Sequence, residues 1–240
     1  LPRFIADPDP ATAARVLADV GVSGGYAFEG PNDVFVPLAR AAGVAPLDLY
    51  SNIAVSFPRS PVHLAHTAWD LHRLSGGRFL LGLGSQVRAH VERRYGAEFA
   101  HPAARMADQV DAIKAVFASW QDGRPLRHDG RFWQLDLMPP TFSPGPLPEG
   151  PPPILVAAVG PKMTATAAAH ADGILLHPFT SDRFVHEQTL PIVEAELAAA
   201  GRSREAFTVV GSSIAAIGGT AADQQTADDA ARGLVAFYGS

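Results

Sequence analysis

The pattern of apolar and polar positions is most informative between Trp69 and His90, WDLHRLSGGRFLLGLGSQVRAH. A helix end gives way to a Ser75-Gly76-Gly77 turn, and in the strand 78–83 that follows residues 79–83 run apolar without alternation. That is the pattern of a strand covered on both faces, as in a parallel sheet flanked by helices. Gly84 and Ser85 follow as a loop that opens another helix. Barrels of this kind keep their chemistry at the carboxyl ends of the strands, so functional residues are expected to converge just beyond Leu83.

The same rhythm extends both ways. Residues 3–6 read as the end of a first strand, and Asp9-Pro10 supplies a cap and a first-turn proline for a helix closing at Gly21. Residues 25–28 form a second strand, after which Asp33 caps a helix that Gly43 ends. A third strand spans 47–56 around Ile53, Ala54 and Val55, and Ser60-Pro61 starts the helix that runs into the opening stretch. Residues 102–120 make a long amphipathic helix with Val110, Ile113, Val116, Phe117 and Trp120 on one face. Fifth, sixth and seventh strands are expected at 153–159, 173–177 and 207–217, with helices at 161–170, 182–200 and 222–237.

Between them, residues 122–153 are rich in Pro and Gly, carry Phe132, Trp133 and Phe142, and show no helical period. So many large rings suit an insertion folded over a barrel mouth, with Trp133 covering substrate, better than a linker. Seven strand candidates alternating with helices predict an α/β fold, a (β/α)8 TIM barrel in a single domain over 1–240, whose eighth strand is missing. A doubly wound sheet is disfavoured because no phosphate-binding glycine fingerprint follows the first strand. A missing stave would leave two open edges, so the chain is expected to be a truncated or partial version of a longer one.

Composition narrows the function classes. The 240 residues carry a net charge of −5, which offers no broad basic field for nucleic acid. No run approaches the ~20 apolar residues that cross a bilayer, and the start, LPRFIADPDP, has no apolar signal core, so a cytoplasmic location away from membranes is expected. The absence of cysteine excludes disulfides, thiolate metal sites and a cysteine nucleophile. His63, His66 and His72 share a helix, yet no carboxylate pair stands at ligand spacing and no HExxH occurs, so no metal is expected. Serine hydrolase chemistry lacks its GxSxG elbow, since the 82–86 segment reads GLGSQ.

Several groups are candidates for the mouth. Gln86 and His90 are four apart after the fourth strand and face one cavity if that segment is helical. His177 closes the sixth strand, where an imidazole can give or take a proton near neutral pH. Read structurally, the same groups cap helices and satisfy loop carbonyls. Ala158, Val159, Gly160, Pro161 and Lys162 lead from the fifth strand into a helix whose first turn exposes N–H groups to an anion. A Gly-Pro turn alone is a weak sign of such a site.

Three segments, HTAWDLHRLSGGRFLLGLGSQ, ARMADQVDAIKAVFASW and PPPILVAAVGPKMTATAAAHADGILLHPF, resemble the luciferase-like monooxygenase superfamily. FEGPND, SFPRSP and residues 142–146 are similar to its branch of coenzyme F420-dependent oxidoreductases. The resemblance implies a small-molecule oxidoreductase, commonly a homodimer, using the deazaflavin F420 or alternatively FMN. It implies that the ring rests on a bulged third strand, often with a non-prolyl cis peptide, at Asn52, Ile53, Ala54 and Val55. Glu29 falls where relatives place an acidic residue, whereas the next position, often a catalytic His, is Gly30. Arg59, Arg88 and Lys162 are possible partners for the coenzyme's anionic parts. The expected activity is hydride transfer between the deazaflavin C5 and a small organic substrate, with Glu29, His90 and His177 as catalytic candidates. A reduced-FMN monooxygenase is the alternative, and Gly30 keeps open a third reading, a flavin-binding relative without activity.

Overall fold

The computed structural model describes residues 9–239 of the chain. Nine helices are described: α1 (Pro10–Asp19), α2 (Phe35–Ala42), α3 (Pro61–Leu74), α4 (Arg88–Arg93), α5 (Pro102–Asp122), α6 (Pro161–His170), α7 (Asp182–Phe184), α8 (Leu190–Ala199) and α9 (Ala221–Gly239). Interspersed with them are β1 (Gly24–Ala27), β2 (Asp48–Ser51), β3 (Ala54–Val55), β4 (Phe79–Gly84), β5 (His128–Asp129), β6 (Gln134–Leu135), β7 (Ile154–Ala158), β8 (Gly173–Leu176) and β9 (Thr208–Val210). The main sheet is parallel, in the order β1-β2-β4-β7-β8-β9, with β3 also paired to β4. Chain order is kept throughout, without the reversal that marks a doubly wound sheet. The sheet curls into a half-barrel, a partial TIM barrel with helices on its outer side. Among the described residues β1 and β9 are its edges and no eighth stave occurs. The strand expected at residues 3–6 lies outside the described residues. None of the described helices is long and apolar enough to cross a membrane.

Most elements form where the pattern puts them, because their punctuation is chemical. Asp33 Oδ1 accepts from the N–H groups of Phe35 and Val36 at 2.8 and 3.2 Å, and Ser60 Oγ accepts from His63 N at 3.2 Å. The Asp9 carboxylate accepts from Thr12 and from Arg40. His72 is buried and donates from Nδ1 to Phe79 O at 2.8 Å, tying the end of α3 to the start of β4. Its burial holds its pKa below the usual value, which suits a neutral ring in that role. The His66 ring lies tilted against Trp120 at 4.6 Å and His63 bonds Ser60, so the three histidines of α3 have separate partners.

Two expectations need correction. The third strand is not continuous over 47–56: it breaks into β2 and β3 at the cis Asn52–Ile53 peptide. The seventh strand ends at Val210 rather than 217, because Gly211 and the residues after it have no ladder partner. The 122–153 segment is tied to α5, where buried Asp108 accepts from Phe132 N, Trp133 N and His128 Nε2. Further along, it is fixed at the amino-terminal end of the sheet, where Gln121 bonds Leu147 and Arg73 bonds Pro144. Of its rings, Phe132 lies 6.4 Å from His101, whereas Phe142 is exposed.

Two hydrophobic clusters result. The larger packs the outward residues Phe79, Leu81 and Leu83 of β4, with Ile154, Val156 and Ile174, against the helices. There Trp69 of α3 meets Phe117 and Trp120 of α5 at ring separations of 5.4 and 5.3 Å. The smaller lines the concave face with Tyr26, Tyr50, Leu80, Leu155 and Leu175, joined by Ile53. The period of two along β4 places Gly82 and Gly84 on that concave face with Leu80. A Cβ on Gly82 would stand 1.8 Å from Ser51 O, so β2 and β4 approach only because none is there. Ser51 Oγ completes the contact, donating to Gly82 O at 2.8 Å and accepting from Gly82 N at 2.9 Å. Gly82→Ala is therefore expected to cost about 3 kcal/mol or more, read as a lowered urea midpoint or loss of folded protein, while Gly160→Ala, which meets open space, costs under about 1 kcal/mol.

Candidate functional site

The register of the strands brings most of the predicted groups to one end. Ala27 pairs with Ser51, Val55 with Gly84, Leu83 with Val156, and Ala158 with Leu176. Glu29, Asn52, Ser85, Val159 and His177 thus follow the carboxyl ends of successive staves.

Glu29 is the most heavily bonded of them. Its side chain is only 5% exposed, and Oε2 accepts from Val55 N at 2.8 Å and Arg59 Nη1 at 2.6 Å, while Oε1 accepts from Tyr95 OH at 2.7 Å. Arg59 also donates to Val55 O at 2.8 Å. The backbone adds Asn52 N to Ala27 O and Glu29 N to Ile53 O. Both carboxylate oxygens are committed, so Glu29 braces β1, β3 and the segment after α4. Ser56 and Gln109 extend the brace. Ser56 Oγ donates to Gln109 Oε1 at 2.8 Å, and Gln109 Nε2 donates to Ser56 O and Arg59 O.

Ile53 rests on Gly84, where a Cβ would meet its side chain at 2.7 Å, and it turns a partly exposed face to the mouth. The half-buried Asn52 side chain makes no hydrogen bond with the protein among the described residues. Ala54 and Val55 are buried beneath. Gln86 is not helical as expected. It has φ +58°, lies before α4, and accepts from Val87 N through its own Oε1 at 2.9 Å. The four-residue spacing to His90 therefore loses its meaning, and the exposed His90 ring makes no hydrogen bond or ring contact among the described residues. Ala158 is buried, whereas Val159, Gly160, Pro161 and Lys162 are exposed at the start of α6. Gly160 O accepts from Met163 N and Thr164 N, which leaves Lys162 N–H in the first turn without a backbone acceptor. Arg88 pairs with Glu92 at 2.7 Å. His177 takes Phe179 N–H on Nδ1 at 3.2 Å and lies 4.6 Å from Tyr238 of α9, edge to face. A cavity of about 470 Å³ beside Phe117, Pro152 and Asp172 opens at the other, amino-terminal end of the strands, and Asp172 there is already bonded to Lys114 and Ile154 N.

Tyr95 and Gln109 escaped the sequence reading. Gln109 had a signal: it occupies the stripe of Met106, Val110, Ile113 and Val116, where a polar residue must find a buried partner. Tyr95 had none, since its partner is 66 residues away.

A family model described as luciferase-like monooxygenase matches residues 13–240. The chain belongs to that family. It is 42% identical over 231 residues to the uncharacterized protein Rv1360 of Mycobacterium tuberculosis, covering 96% of this chain and 68% of the relative. Among solved structures, the fold is similar to the coenzyme F420-dependent tetrahydromethanopterin reductase of Methanopyrus kandleri, with TM-score 0.70 and 22% identity over 87% of this chain and 63% of that one. It is also similar to the EDTA monooxygenase of Chelativorans sp. BNC1, with TM-score 0.76 and 20% identity over 96% of this chain and 60% of that one. The chain thus spans under two thirds of the length of both solved structures. Reductases and monooxygenases stand side by side among the neighbours of this oxidoreductase fold.

Two measurements test the brace. Glu29→Ala strands Arg59 and the Val55 amide and is expected to cost about 3 kcal/mol in urea unfolding, against about 1 kcal/mol for Tyr95→Phe. Burial first, and then Glu29, pushes the Tyr95 phenol up to about 12, and burial does the same for Tyr50. Unfolded tyrosines ionise near 10, so stability is full below pH 10 and falls between pH 10 and 12, followed by unfolding midpoints and by phenolate absorbance.

Proposed function

We propose that the chain is the barrel part of an oxidoreductase that holds coenzyme F420 at the carboxyl ends of β1, β3, β4, β7 and β8 and moves a hydride between its C5 and a small organic substrate. The observation that carries this is the shelf at the break between β2 and β3. Ile53 is fixed from below by Gly84 and turned to the mouth, next to an amide on Asn52 that has no other partner. A flat heterocycle needs both, an apolar surface for its face and a donor or acceptor for its polar edge. The residues present fit such a group. Asn52, Ile53, Ala54 and Val55 form the floor, and Gly160, Pro161 and Lys162 at the start of α6 offer open space, a free N–H and a charge to an anionic portion. When bound, the deazaflavin supplies a carbon that accepts or gives a hydride.

The protein's part is to position and to exclude water. Glu29 acts through its brace, since its oxygens are engaged; it fixes the angle of Val55 and hence of the shelf. Hydride transfer demands reacting carbons about 3 to 3.5 Å apart, and a floor built on strands meets that demand better than a loop. His177, at the end of β8, is the group nearest in character to a carrier of polarity for the substrate. His90, exposed on α4, is a rim contact. The second reading, a monooxygenase using reduced FMN and O2 on the same shelf, is supported by the fold match over 96% of the chain to a monooxygenase. A homodimer, as the resemblance implies, stays part of the proposal.

Titration of the purified protein with F420 and with FMN, followed by coenzyme fluorescence, separates the two. F420 is expected to bind at least about tenfold more tightly, and Asn52→Leu to weaken it about tenfold. Tight FMN binding without F420 binding overturns the first reading in favour of the second.

A further inference from the structure

The cavity at the amino-terminal end of the strands is separate from the mouth and has a composition of its own. It holds about 470 Å³, within the range of small-molecule sites. One wall is a face of α5, where Lys114, Phe117, Ala118 and Gln121 recur at helical spacing. A second is Pro151-Pro152-Pro153, which leads into β7, and Asp172 and Thr208 border it at the starts of β8 and β9. Phe117 is fixed by Trp69 at a ring separation of 5.4 Å, and proline side chains lose no rotamer freedom when covered. The apolar surface is therefore rigid before anything binds.

The polar groups around it are unevenly committed. Asp172 is fully engaged, since Oδ1 accepts from Lys114 Nζ at 2.8 Å and Oδ2 from Ile154 N at 2.9 Å. Gln121 is engaged as well, bonding Leu147 N and Leu147 O at 3.0 Å each. Three successive prolines supply carbonyl oxygens and no N–H. Pro153 O accepts from Leu81 N, whereas Pro151 O and Pro152 O have no donor among the described residues. Asp122 Oδ1 has none there either; its Oδ2 meets Arg124 at 3.0 Å, in a pair exposed at both side chains and therefore weak. The free donors are the Thr208 hydroxyl and the remaining N–H bonds of Lys114. Charge decides between them, because one cation against two carboxylates leaves the cavity negative.

We infer that this cavity is a second binding site and takes a flat ring bearing one ammonium group, the ring between the proline wall and Phe117 and the ammonium against Asp122. Aromatic and proline rings pack face to face in the recognition of proline-rich segments, and here the protein supplies the prolines. The ammonium finds a carboxylate whose present partner is a solvent-exposed arginine that water can take over. A carboxylate on the ligand meets the opposite situation. It lies beside Asp122 and Asp172, and the one cation of the walls is held by Asp172. None of Glu29, Asn52, Ile53 or Lys162 borders the cavity, so the inference is independent of the coenzyme reading and both sites can be filled at once.

Three ligands that share a ring and differ in charge test this on the full chain: tryptamine, indole and indole-3-acetate, followed by 15N amide shifts. Tryptamine is expected to bind saturably and to shift the amides of Gln121, Asp122 and Thr208, and indole-3-acetate to bind at least about tenfold more weakly. Ala206→Trp, at an exposed residue bordering the cavity, is expected to fill the space and weaken tryptamine at least about tenfold with the urea midpoint unchanged. Asp122→Asn is expected to bring tryptamine down to the affinity of indole. Tryptamine that does not saturate by about 10 mM, or that shifts Asn52 and Ile53 at the mouth instead, overturns the site. Indole-3-acetate bound as tightly as tryptamine, or tryptamine bound by Asp122→Asn as by the unmodified chain, overturns the assigned charge. If Ala206→Trp lowers the urea midpoint, Ala118→Leu fills the cavity from the α5 side in its place. Tryptamine affinity unaltered in whichever filled variant keeps its midpoint overturns the location.

Discussion

The mouth of this half-barrel depends on one amide. Where β2 breaks from β3, the backbone leaves the regular ladder, and Val55 N–H would be a buried donor without an acceptor. Glu29 takes it at 2.8 Å and, in the same carboxylate, gathers Arg59 and Tyr95. An unpaired buried N–H costs about 1 to 3 kcal/mol, and an unpaired buried carboxylate more, so each of these groups requires the others. A kink in a strand is thereby made rigid by a charge supplied from its neighbour. The shelf formed by Ile53 inherits that rigidity.

The acidic residue in the relatives' pattern therefore has a mechanical use here that does not need a neighbouring histidine. With Gly30 next to it, Glu29 has three hydrogen-bond partners, none of them an imidazole. The imidazole of His177 follows β8, on another stave, and the sheet is what relates it to the brace.

Much of this was legible in the sequence, for identifiable reasons. The apolar run after Arg78 and the Ser60-Pro61 start of α3 are local signals, and the structure repeats them nearly residue for residue. His177 at a strand end followed from strand-helix alternation, since parallel staves in chain order put their carboxyl ends together, whereas Glu29 and Asn52 were singled out by the family resemblance. What failed was anything that depended on backbone detail or on distant partners. Gln86 and His90 were paired by helical spacing, but a left-handed residue at Gln86 precedes the helix. The rings of residues 122–153 announced burial without saying against what. Asp108, 24 residues from Phe132, supplies the answer, and pattern reading has no access to contacts at that separation.

That last contact has a wider consequence. Because one carboxylate, Asp108, gathers His128 Nε2, Phe132 N and Trp133 N, the part of the chain with the least regular composition is anchored to α5 at a single buried point. Changes elsewhere along 122–153 leave that anchor in place, whereas loss of the Asp108 carboxylate leaves three donors without their shared acceptor.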